Sequence, residues 1–165
     1  LFFASALVVL PAILVGGAAV LCNPRSSLRD SITLVARYAP CLIPIGFAMW
    51  LAHYSFHFLT SYETVVPTTQ RFAASLGLDL GEPLWQRACC RPVGTWLLHA
   101  ELVALGIGLL GSLYAAWRIA IADAKTGSEA LRRCCPWCAL VVLLFAAGVW
   151  ILFQPMEMRG TLPRS

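Results

Sequence analysis

Charge is what this sequence has least of. Aspartate, glutamate, lysine and arginine make up 12% of its 165 residues, against about 25% in an ordinary soluble domain. Hydrophobic residues make up 59%, and the mean hydropathy is +0.76, so a water-facing surface could not be assembled from what remains. The basic residues exceed the acidic ones by only four and are scattered. That pattern excludes the charged stripe by which proteins hold nucleic acid. Also missing are a phosphate-binding loop, a nucleophile elbow, paired carboxylates and a zinc motif, which argues against an independent catalytic site. Internal repeats, low-complexity tracts and strand-like alternation are absent too. No basic residue precedes the first apolar run and no cleavage site follows it, so that run is not a signal peptide. The chain opens at Leu1 and reads as a fragment or a processed form, with further helices expected upstream.

What is present is apolar sequence in four runs, at approximately 1–22, 31–61, 95–122 and 136–154. Each can cross about 30 Å of hydrocarbon at about 1.5 Å per residue. The expected fold is therefore all-α: one integral membrane domain, 1–165, of about four transmembrane helices. Pro40 and Pro44 fall inside the second run and predict a kink there. Segment 62–94 is the long loop, and 67–80 within it has helical spacing of Phe72, Leu76 and Leu80, as in a short interfacial amphipathic helix. Arg25, Arg29, Arg37, Arg118, Lys125, Arg132 and Arg133 cluster near helix ends on one side. Arg71, Arg87, Arg91, Arg159 and Arg164 lie on the other. This bias makes the first side cytoplasmic and puts the 62–94 loop and both termini outside.

The three histidines, His53, His57 and His99, fall at similar depth at one end of the bundle. His53 and His57 are four apart and share a helix face. A b-type haem needs axial ligands above and below its iron. Two histidines on one helix cannot supply both, so His99 with either His53 or His57 is the expected pair. Gly46 and Gly106, each seven residues from a histidine on its own helix, would leave room for a flat macrocycle or for close helix packing. A second chemistry competes. Met156 and Met158 follow the fourth run, and thioether sulfur with imidazole is the set that Cu(I) favours, which makes the histidines and both methionines a candidate copper site. A third reading leaves the histidines among Tyr54, Phe56, Phe58 and Trp96 as an interfacial belt.

Glu101, inside the third run, suits a proton relay or quinone contact, or a pairing with an arginine such as Arg91. Cys135 and Cys138 have redox spacing at what reads as a helix start, with Cys134 and Cys22 available for a four-thiolate site; small apolar fillers are the alternative. Cys89 and Cys90, being adjacent, would form a strained ring if joined. Ala104, Gly108 and Ser112 form a small-residue stripe for close packing, within the bundle or toward a partner.

The stretch 48–58, Ala-Met-Trp-Leu-Ala-His-Tyr-Ser-Phe-His-Phe, and the ending 154–161, Gln-Pro-Met-Glu-Met-Arg-Gly-Thr, resemble the membrane portion of bacterial polyferredoxin-type 4Fe-4S membrane proteins. The cluster-binding cysteine motif of that group is absent here, so no cluster ligand carries over. The resemblance implies redox work in the bacterial inner membrane. The expectation is a subunit of a respiratory complex, holding a haem near the outer face and relaying electrons between quinol and other membrane or periplasmic subunits. The alternatives are a cofactor-free accessory subunit and a copper-handling protein.

Overall fold

The two prolines of the second run decide where its helix breaks. Pro44 cannot donate to the helical ladder and Pro40 stiffens the turn before it. In the computed structural model, which describes residues 3, 5–23, 27–83 and 94–154, the break is a 3₁₀ turn at Ala39–Leu42. It separates α2 (Leu28–Tyr38) from α3 (Ile43–Ser61). The Ile43 amide donates to the Pro40 carbonyl across it. Before these lies α1 (Leu10–Cys22), entered through a π-helical turn at Ser5–Val9. After them come α4 (Val65–Ser75), α5 (Trp96–Asp123) and α6 (Gly127–Leu152). The described residues are almost wholly helical, with no strand among them.

Among the described residues, three helices are long and apolar enough to cross a membrane: the continuous stretch Leu28–Ser75, then Trp96–Ala122 and Gly127–Leu152. A shorter apolar helix, Ala6–Cys22, accompanies them. Leu28–Ser75 is far longer than a bilayer needs. Its 19-residue middle, α3, alone covers about 28 Å. α2 is the polar-faced piece, held at its start by a capping box in which Ser27 and Asp30 satisfy each other's backbone amides.

Antiparallel α3 and α5 pack face to face, α6 lies against both, and α1 bridges α6 and α2. The α3–α5 seam uses the small-residue stripe inside the bundle. A Cβ on Gly108 would sit 2.5 Å from the Ala48 Cβ and 2.9 Å from the Pro44 carbonyl oxygen. One turn on, the buried Ser112 hydroxyl accepts a hydrogen bond from the Ile45 amide at 3.0 Å, close to the proline break. Hydrocarbon offers no water to do that job. The core has two parts. Toward the arginine-bearing end, Trp137 stacks flat on Tyr38 with ring centroids 5.0 Å apart, both fully buried among Cys41, Ala116 and Val141. Toward the histidine-bearing end lie Ile45, Ala48, Ala52, Leu105 and Leu152. The opposite face of α5 carries Val103, Ile107, Leu110 and Tyr114, all exposed, which is a surface for lipid rather than water.

Two boundaries differ from the sequence reading. The fourth helix begins at Gly127, not near 136, because Thr126 caps it: its hydroxyl accepts from the Glu129 amide while the Glu129 carboxylate accepts from the Lys125 amide. Pro136 is thus inside α6. The helix expected within segment 62–94 is Val65–Ser75, shifted toward the N-terminus from 67–80. Gly77, at φ +80°, ends it: the Leu78 amide reaches the Ala73 carbonyl and the Gly77 amide reaches that of Ala74. Leu80 lies beyond the helix, where its carbonyl accepts from the Gln70 side chain.

Candidate functional site at the histidine end

His53 and His57 stand one turn apart on α3, and their rings meet edge to face with centroids 4.6 Å apart. His53 is half-buried against Tyr54. His57 is exposed and borders an open groove of about 440 Å³, lined by Trp50, Tyr54, Phe58, Ser61 and Tyr62.

His99 is placed differently. Leu97 and Glu101, two residues either side of it, are both 5% exposed and face the bundle. Residues two apart on a helix lie on nearly opposite sides, so His99 points away from the α3–α5 seam, and it is exposed. The described geometry therefore brings His53 and His57 together and leaves His99 apart. A haem ligated by His99 would therefore lie outside the α3–α5 seam.

The His99 ring is nonetheless fixed. Its Nδ1 lies 2.8 Å from the Thr95 carbonyl oxygen, one turn back. A carbonyl oxygen only accepts, so Nδ1 carries a proton, and in the neutral ring Nε2 is the nitrogen that keeps its lone pair. Imidazoles that bind metals are commonly held this way, one nitrogen donating to a backbone carbonyl and the other ligating. Gly106 lies two turns further along the same stripe of α5, and nothing comes within 4 Å of where its Cβ would be. Gly46, on the stripe of His53 and His57, is equally open. Both glycines thus give clear space beside the bundle, in contrast to Gly108.

Glu101 is buried, and its Oε1 has no hydrogen-bond partner among the described residues. The register set by Gly108–Ala48 and Ser112–Ile45 places it level with Ser55 on α3. Leaving a polar group buried and unpaired costs about 1–3 kcal/mol. Glu101→Leu, similar in size, should therefore raise the unfolding free energy in detergent by about 1 kcal/mol or more. A loss of stability in thermal unfolding would mean that the carboxyl has a partner after all.

Cys135 and Cys138, which have redox spacing in the sequence, are both free thiols. Cys135 and Cys138 lie beyond the second turn of α6, not at a helix start, so the dipole argument lapses. Cys135 is exposed, while Cys134 faces Cys138 with sulfurs 3.1 Å apart. Four-residue spacing, not three, aligns side chains here. Cys22 donates instead to the Arg133 carbonyl at 3.0 Å. No three His, Cys, Asp or Glu among the described residues form a group that could hold a metal ion, so the four-thiolate arrangement is not found there. Met156, Met158, Cys89, Cys90 and Arg91 lie outside the described residues. No protein-family model, curated protein or solved structure matches this chain.

Proposed function

We infer that this chain is a membrane subunit of a bacterial respiratory or redox complex. In this reading it offers His99 as one axial ligand to a b-type haem, and a neighbouring subunit supplies the other. The observation that supports it is the His99 ring: Nδ1 is tied to the Thr95 carbonyl, the side chain is exposed, and Gly106, seven residues on along the same helix, has open space around it. The haem would supply one-electron transfer between quinol and an external partner. This chain's contribution is to hold and orient one imidazole at the histidine end and to exclude water through its apolar flank. The arginine bias supports an outer position for that end.

Purified in mild detergent with the subunits that accompany it, the protein should show low-spin b-type bands in a reduced-minus-oxidised spectrum. His99→Ala should abolish them, and His53→Ala with His57→Ala should leave them. Bands that survive His99→Ala but disappear with the α3 double variant would reverse the assignment.

The contact between His53 and His57 supports a second reading, in which this pair binds Cu(I) with Met156 and Met158. That reading expects copper binding to fall with the α3 double variant and not with His99→Ala. A protein that binds neither haem nor copper would be the cofactor-free accessory subunit.

A further inference from the structure

The arginine end of the bundle carries a cleft of about 330 Å³ where α1, α2 and α6 meet. Cys22 closes it from the end of α1. Asp30, Thr33 and Leu34 line it from α2, and Arg132 and Arg133 line it from α6. Its walls are fixed. The Cys22 thiol donates to the Arg133 carbonyl at 3.0 Å, which ties α1 to α6 at this level, and the capping box holds Asp30 in the first turn of α2. The depth is that of lipid headgroups: Arg132 lies about 30 Å along α6 from Leu152, one hydrocarbon thickness.

The two charged walls differ in sign. On α6, Glu129 holds Arg133 at 2.6 Å, so two neighbouring guanidinium groups share one carboxylate and that wall keeps a positive excess. On α2, the charged residue of the lining is Asp30, and its neighbour Arg29 does not line the cleft. Both contacts from Ser27 to the Asp30 carboxylate go to Oδ2, the amide at 3.1 Å and the hydroxyl at 2.7 Å. Neither donor is a cation, and Oδ1 stays open to another, since a carboxylate offers about four lone-pair sites. Among the described residues no ion pair crosses the cleft: Arg133 turns to Glu129 and Asp30 to Ser27.

We propose that this cleft holds the headgroup of an aminophospholipid of the adjoining leaflet, a phosphodiester joined to a primary ammonium. The phosphodiester lies against Arg132, and the ammonium donates to the Asp30 carboxylate. Charge complementarity selects the occupant. An anionic lipid would satisfy the arginine wall and leave Asp30 facing no cation. A choline headgroup has the right charges but no N–H to give, whereas a primary ammonium has three, and a hydrogen bond between two ions is the stronger kind. The depth of the cleft and the apolar Leu34 in its lining favour a lipid over a free zwitterion, which has no chain to lay against the bundle.

The test is lipid retention by the intact protein in native mass spectrometry from mild detergent, with phosphatidylethanolamine, phosphatidylcholine and phosphatidylglycerol of matched acyl chains added in equal amounts. The wild type should retain phosphatidylethanolamine about 5-fold better than phosphatidylcholine, as one ion-pair contact at an accessible site gives. Asp30→Asn, which keeps an oxygen for the cap, should remove that preference. Arg132→Gln should lower retention of both lipids, and Arg118→Gln of neither. Mono- and dimethylated phosphatidylethanolamine should be retained in steps between the two parent lipids, a measurement that needs no variant. Equal retention of phosphatidylethanolamine and phosphatidylcholine by the wild type, a stronger retention of phosphatidylglycerol, a preference untouched by Asp30→Asn, or displacement of the lipid by an equal concentration of free phosphoethanolamine would each overturn the proposal.

Discussion

Gly108→Val should unfold the bundle or cost it at least about 3 kcal/mol, the top of the range for overpacking. The reason is local and severe. A single Cβ at this position meets the Ala48 Cβ at 2.5 Å and the Pro44 carbonyl oxygen at 2.9 Å. The second of these is backbone, held by the proline break, and it cannot turn aside as a long side chain would. α3 and α5 would have to move apart, and the hydrogen bond from the Ile45 amide to Ser112 sits on the next turn of the same seam. Separation would strand that amide in hydrocarbon, adding a further cost of about 1–3 kcal/mol. Gly106→Ala is the matched control. It lies on the same helix with open space around it, and should be neutral or slightly stabilising because alanine is the better helix former. Thermal unfolding in detergent separates the two outcomes. Equal tolerance at both glycines would mean that the α3–α5 seam is looser than described.

Trp137→Ala should cost about 3 kcal/mol, the low end of the range for truncating a buried aromatic residue. Trp137 is fully buried and stacked on Tyr38 at 5.0 Å with the rings nearly parallel. In a soluble protein the loss combines a transfer term and a cavity term. In a bilayer the unfolded chain still lies in an apolar medium, so the transfer term shrinks and the cavity remains. Trp137→Phe keeps a ring over Tyr38 and should lose less than half as much. Tryptophan-to-alanine tolerance at this site would contradict the inner core. The exposed Trp150 on the same helix serves as the comparison and should accept alanine with little change.

Composition made the fold class readable because few arrangements other than membrane helices can satisfy so apolar a chain. The kink at Pro40 and Pro44 was readable for the same kind of reason: proline acts on its own backbone, whatever packs around it. Helix ends were harder. Thr126 and Glu129 mark the start of α6 through a cap that lies outside the apolar run, so hydropathy alone moved the boundary to Pro136 and gave Cys135 and Cys138 a position they do not have. Gly77 marked the end of α4 in plain sight, yet the apolar spacing of Leu76 and Leu80 argued past it. The histidines show the deeper difficulty. Their common depth followed from helix lengths, but which side of α5 His99 takes depends on the buried pattern of Leu97, Glu101 and Leu105, and Glu101 disguises that pattern by being polar.

The assignment of His99 is tested most directly by chemical rescue. In His99→Gly, purified with its partner subunits, the low-spin haem spectrum should be lost, and added imidazole should restore it by occupying the space left beside α5. Restoration requires an axial site that the ring itself had filled, which a merely structural role for His99 would not create. A His99→Gly protein that keeps its low-spin bands without imidazole, or that loses them and does not regain them while remaining folded, would contradict the account.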